Sequence, residues 1–278
     1  MSRFIISAVC LVLLGLTTAL GPARAAPRAE AWDIWQEHDP QSVQTIDHKA
    51  WEDFLVRYVR IGSDGAHRVA YGRVTPADRA ALDAYIDQLA ALPIRRYNRS
   101  EQMAYWINLY NALTVRLVLD HYPIGSIRDI DGSPRPLSGG PWDKKLITVE
   151  GTSISLNDIL HRILRPIFVD PRVHYALSCG AIGCPNLQPE PYSGDRLDYQ
   201  LSKAAMAFVN DPRCISFEGQ ELGVSSLFRW YRDDFGGSDA AVIHHLMGYA
   251  EPRLAMSLQR FDRIGGDGFD WRLNDTTR

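Results

Sequence analysis

Cysteine is scarce in this chain, with four in 278 residues, and one of these, Cys10, lies in an apolar N-terminal run. There is no C-x-x-C pair, which argues against a dithiol redox motif, and no even-numbered framework for a fold held by staples. His174, Cys179 and Cys184 invite a zinc reading, but their spacing is wrong and no second ligand pair completes it, so no metal or other cofactor is expected. Charge of one sign is also missing: 30 basic residues face 33 acidic ones, which gives no reason to expect nucleic acid or an anionic membrane as partner. Past residue 25 no apolar run is long enough to cross a bilayer, so stable membrane insertion is not expected. Repeats and low-complexity tracts are absent too.

What is present begins with a leader. Met1-Ser2-Arg3 precedes an uncharged stretch from Phe4 to Leu20, and Ala23-Arg24-Ala25-Ala26 follows. A basic start, an apolar centre and a small-x-small end read as a signal peptide over 1–25, cut after Ala25 or Ala26. A retained anchor is the weaker reading, because Gly15, Thr17, Thr18 and Gly21 interrupt a run of barely ~18 residues. The expectation is a periplasmic or secreted protein whose net charge, without Arg3 and Arg24, is about −5. Three cysteines then remain, so at least one is free or paired outside the chain.

Patterning predicts an α+β, helix-rich single domain over 26–264, followed by a loose polar tail over 265–278. Helical spacing runs through 31–60, and Arg68 to Val74 reads as a short strand. Thr75-Pro76 opens one helix, and Asn98-Arg99-Ser100-Glu101 opens a long one that stops at Pro123. Leu146 to Ile154 predicts a hairpin, Ser155 caps "ILHRILR" up to Pro166, and Val173 to Ser178 predicts a strand. Leu197–Val209, 225–231 and 239–249 are expected as helices, with a hairpin at 214–224.

Polar residues in apolar surroundings are the candidates for function. Asn108 and Asn111 share one face of a helix that is apolar nearly all round, so their amides must find partners. They either fasten a neighbouring loop or orient a catalytic group and donate to an oxyanion. His161 is similarly a satisfied core residue or a base. Cys179 begins a small-residue loop, Gly180-Ala181-Ile182-Gly183, that ends at Cys184. Exposed amides in such a loop would favour a thiolate. On a strand, His174 would point away from Cys179, which makes His161 the better partner and His174 a second candidate base. The rival reading is a Cys179–Cys184 disulfide, which would return the stretch to a structural role.

Four ordered segments, "YWINLYNALTV", "SLNDILHRILR", "DPRVHYALSCGAIGCPNL" and "FRWYRDDFG", resemble the domain of unknown function 547 family of bacterial exported and plant proteins, over about 97–236. The matching positions are Asn108, Asn111, His161, Arg165, His174, Cys179, Pro185, Trp230 and Tyr231. The family often has an acidic residue just before the histidine matched by His161, and this chain has Leu160 there. The resemblance implies a cysteine–histidine site like that of papain- or transglutaminase-like enzymes, on a rearranged core of that kind. The expected function is an exported thiol-dependent enzyme, a cysteine hydrolase or acyl/thiol transferase, acting on a peptide-like or small-thiol substrate. Cys179 would be nucleophile, His161 or His174 base, and Asn108 or Asn111 orienter or oxyanion donor. The alternative is a non-catalytic periplasmic binding or assembly protein with structural cysteines. Oligomeric state is left open.

Overall fold

Helix α3, Arg99–His121, is the axis on which everything else is hung. It is apolar on every side, and its residues from Glu101 to Val115 are all buried, so it needs a full jacket of other elements. The computed structural model describes residues 26–132 and 140–277. The expected signal peptide therefore lies outside the described residues.

The jacket is helix-rich, with small sheets at its margins. Helix α1 (Lys49–Tyr58) leads into the antiparallel pair β1 (Val59–Ile61) and β2 (His67–Val69). Helix α2 (Pro76–Ala90) packs along α3, and its start is set as expected, with Thr75 accepting from the Asp78 amide at 3.1 Å. Hairpin β3 (Ile147–Val149) and β4 (Thr152–Ile154) precedes a π-helix, Asp158–Phe168, and a one-turn helix, α4 (Val173–Ala176). Helix α5 (Leu197–Val209) leads to strands β5 (Ile215–Glu218) and β6 (Glu221–Ser225). Helices α6 (Ser226–Trp230), α7 (Asp239–Met247) and α8 (Pro252–Leu258) follow, and β7 (Gly266–Gly268) joins β6 in parallel. The result is a helix-rich α+β domain with several small sheets.

Several sequence expectations are corrected. Helical spacing over 31–60 yields a 3-10 turn at Asp33–Gln36 and then helix only from Lys49. Asp39-Pro40 breaks the run, and the Asp39 and Asp47 side chains take local amides at Gln41 and Lys49 instead. The strand expected at 68–74 shortens to β2, with a 3-10 turn at Tyr71–Arg73 after it. The segment 173–178 is not a strand. Asp170 accepts from the Arg172 amide through its side chain and from the Val173 amide through its carbonyl, and that turn launches α4 despite the β-formers Val173 and Tyr175. The helix expected to end before Pro166 instead widens into π-helix and runs two residues past it.

The tail after Gly265 is not loose. Leu273, Asn274 and Asp275 are buried, and the Val69 amide donates to the Asn274 carbonyl at 2.7 Å. The Tyr71 hydroxyl donates to Asn274 Oδ1, and the Tyr122 hydroxyl donates to Asp275. Backbone pairing and hydrogen bonds from distant tyrosines hold it, together with the buried Leu273. That signal is invisible in side-chain periodicity.

Candidate functional site

Helix α3 positions the site through its two asparagines. Asn111 donates from Nδ2 to the Ala176 carbonyl at 2.9 Å and accepts the Ser178 amide on Oδ1 at 2.8 Å. Asn108 does the same to one residue, giving to the Tyr192 carbonyl at 2.7 Å and accepting its amide at 3.0 Å. Each amide thus replaces a strand partner for a buried irregular segment, which is why a wholly apolar helix tolerates it. These contacts answer the loop-fastening expectation. Both amide oxygens accept backbone N–H groups, and Asn108 Nδ2 also lies 3.2 Å from His48 Nε2. Glu101, also buried, fastens a third segment by accepting from the Ile46 and Gly194 amides.

The segment that Asn111 holds leads straight into the cysteine loop. Cys179 and Cys184 are joined by a disulfide, with Cα atoms 5.9 Å apart. The Cys179 amide donates to the Cys184 sulfur at 3.2 Å. Gly180 has φ of 79°, a left-handed value that opens the loop and favours glycine. Cys179 is 8% exposed and Cys184 2%. Cys214, the third cysteine, is free and fully buried, and burial pushes its thiol well up. Cys179 therefore carries no thiol in this form, which corrects the expectation of a free nucleophile.

Because 173–176 is helical, His174 is not turned away from the cysteines. A cavity of about 30 Å³, room for about one water, has Tyr110, His174, Cys179, Cys184, Trp230 and Tyr231 among its walls. His174 donates from Nε2 to Oδ2 of Asp234 at 2.6 Å, since an ionised carboxylate can only accept. Arg165 clamps the same carboxylate with two bonds, Nε at 2.5 Å and Nη2 at 2.8 Å. Burial raises the Asp234 carboxyl, but His174 and Arg165 outweigh it and hold it below the usual carboxylate range. Burial lowers His174, and its bond to Asp234 offsets only part of that, so the ring is neutral near pH 7 with its lone pair on Nδ1.

His161 is placed differently from the expectation. Arg165 has no acceptor, so its Nη1, 2.9 Å away, must donate to His161 Nδ1. The His161 proton then sits on Nε2, which is buried without a partner. Burial first, and then the Arg165 charge, lower this histidine to about 3. It is a neutral donor with its basic nitrogen occupied. Its Nδ1 is thus taken by Arg165 rather than turned to Cys179, and His174 is the histidine that lines the cavity. The Tyr231 ring lies between the two, with centroids 4.0 Å from His174 and 6.1 Å from His161.

Asp234 was missed by sequence reasoning. Its signal was available in "FRWYRDDFG", an acidic pair set among aromatic residues that line the interior. Asp234 sits on another element, in the 3-10 turn Arg232–Phe235, and bonds His174 rather than His161. Among the described residues, no group of three or more His, Cys, Asp or Glu side chains could hold a metal ion. No helix among them is long and apolar enough to cross a membrane.

Residues 94–209 match the family model described as "Protein of unknown function, DUF547". The match takes in Asn108, Asn111, His161, Arg165, His174 and both loop cysteines, and it ends before Trp230, Tyr231 and Asp234. No curated protein and no solved structure matches the chain. The chain thus carries a DUF547 family domain over residues 94–209, about two-fifths of its length.

Proposed function

We propose that the chain is an exported thiol-dependent enzyme, a hydrolase or acyl/thiol transferase, whose cysteine pair rests in the oxidised form. The observation that carries this reading is the shared cavity: both cysteines line the space that His174 lines, and Asp234 holds that histidine from behind. A papain- or transglutaminase-like rearranged core belongs to the same proposal. So does a periplasmic or secreted setting, where a disulfide persists.

Activation begins with an external dithiol. One of its thiolates attacks a sulfur of the pair, the second completes the exchange, and the products are two protein thiols and the dithiol's own disulfide. Cys179, the more exposed of the two, then gives its proton to Nδ1 of His174. The imidazolium that forms is stabilised by the Asp234 carboxylate, the role the orienting acid has in a triad. The thiolate attacks the carbonyl carbon of a peptide-like or thioester substrate, and the leaving amine or thiol takes the proton back from His174. His161, with its basic nitrogen bonded to Arg165, takes no proton; it supports the guanidinium that fixes Asp234.

A second reading has its own support. Both cysteines are buried and the cavity admits about one water, which suits a disulfide that only braces the loop in a binding or assembly protein. Iodoacetamide at neutral pH, followed by peptide mapping, separates the two. Fast labelling at Cys179 after mild dithiol treatment, and none without it, supports the enzyme. A folded protein whose pair resists the dithiol, or whose reduced Cys179 reacts no faster than an ordinary thiol, supports the brace.

A further inference from the structure

A cavity of about 30 Å³ is too small for any substrate, since ligand sites are typically about 300 Å³ or more. The C-terminal segment supplies part of its lining. Phe269 forms one wall of the cavity, and Phe269 and Trp271 pack on Cys179, Ala181 and Cys184. The phenyl ring sits 4.8 Å from Trp230 and 4.5 Å from Trp271, centroid to centroid.

We propose that Phe269 is an internal plug: it occupies an apolar subsite next to the Cys179 sulfur that an aromatic substrate side chain fills when the segment 269–272 lifts. This rests on the thiol-enzyme reading of the same cavity. The subsite is defined by chemistry, since Tyr110, Leu160, Leu177, Leu227 and Trp230 surround the space with little polar surface. A planar apolar side chain of about the size of the phenyl it replaces is the group such walls accept.

The attachment of the segment is uneven. Its far end is anchored by the buried Leu273, whose amide donates to the Gly125 carbonyl, and by Asn274 and Asp275. Over the loop itself it is held by two backbone bonds, Gly183 amide to Asp270 carbonyl and Ile182 amide to Arg272 carbonyl, both 2.8 Å. Asp270 and Arg272 pair with each other. On the near side, Gly266–Gly268 is tied to β6 as strand β7 and Asp267 pairs with Arg229, so the part free to lift is 269–272, between that strand and the Leu273 anchor. The contact over the loop is close: a Cβ on Gly183 would come within 2.7 Å of the Asp270 amide nitrogen.

The test follows reduction of the disulfide in the folded full chain by a water-soluble phosphine, with trapping of each thiol by iodoacetamide. Phe269→Ala should speed reduction about tenfold or more while Cys214 stays unlabelled, which marks local opening rather than global loosening. Gly183→Ala, which pushes the segment outward without removing the ring, should act in the same direction. Millimolar N-acetyl-phenylalaninamide should restore protection in Phe269→Ala, whereas N-acetyl-alaninamide should not. The proposal is overturned by unchanged reduction in both variants, by equal exposure of Cys214, or by an aromatic probe that protects no better than the alanine one. None of these readouts depends on whether Cys179 is a nucleophile, so failure of the plug and failure of the enzyme reading are distinguishable.

Discussion

His174 and Asp234 stand 60 residues apart in sequence and are joined by a 2.6 Å hydrogen bond from Nε2 to Oδ2. The bond fixes the tautomer, leaving Nδ1 as the basic nitrogen, and it gives a positive His174 a nearby counter-charge.

Asp234→Asn should keep the shape and break the chemistry. An amide can donate to Nε2, which would move the histidine proton to Nδ1 and abolish the base. It also leaves the Arg165 guanidinium without its carboxylate, at a cost of ~2–3 kcal/mol. Calorimetry and alkylation of the reduced protein should both register the change; a variant alkylated at the wild-type rate would remove Asp234 from the site.

Asn111→Ala should destabilise by ~1–3 kcal/mol, because the Ala176 carbonyl and Ser178 amide would be left buried without partners. Asn108→Ala should cost a similar amount at Tyr192. Denaturant unfolding measures both. Only the Asn111 variant should also alter labelling of reduced Cys179, since it alone holds the segment leading to that residue. Equal effects on labelling would contradict this division.

Removing Cys184 should cost little. The disulfide closes a short loop, with a sequence separation of 5, so its loss amounts to ~2 kcal/mol on chain-entropy grounds. Cys184→Ser should then label at Cys179 without any reductant. A variant that cannot fold, or that folds with Cys179 unreactive, would favour the bracing role.

Acid should weaken the fold in two overlapping windows. Burial lowers His48 and His245 to about 4 and His161 to about 3 from an unfolded value near 6.5. Between those values the unfolded chain binds protons that the folded chain refuses, so stability falls as pH falls, by ~1.4 kcal/mol per pH unit for each such histidine. Asp234, whose folded value is lowered, contributes stability that is present above the ordinary carboxylate range and is lost only below about pH 4. Melting temperatures should drop from pH 7 to 5; a flat profile over that range would mean these rings are not buried neutral.

Much of the scaffold was legible. Thr75 and Asn98 mark helix starts that the structure keeps, and α5 runs over the residues its apolar spacing gives. The apolar girth of α3 announced a buried axis with two amides that had to be answered. The site was less legible, for physical reasons. A single Asx turn at Asp170 converts 173–176 from strand to helix and so reverses which way His174 faces. Asp234 and His174 meet through tertiary packing that no local pattern encodes. The C-terminal segment is held by backbone bonds and by side chains far off in sequence, to which side-chain periodicity is blind.

The central claim is that reduced Cys179 is a nucleophile supported by His174. The most direct measurement is the pH dependence of its alkylation in the reduced protein, beside His174→Gln. The account predicts a wild-type thiol titrating below the free value of about 8.5, and a variant shifted upward with its rate at pH 7 about tenfold lower. Superimposable profiles for the two proteins would contradict it.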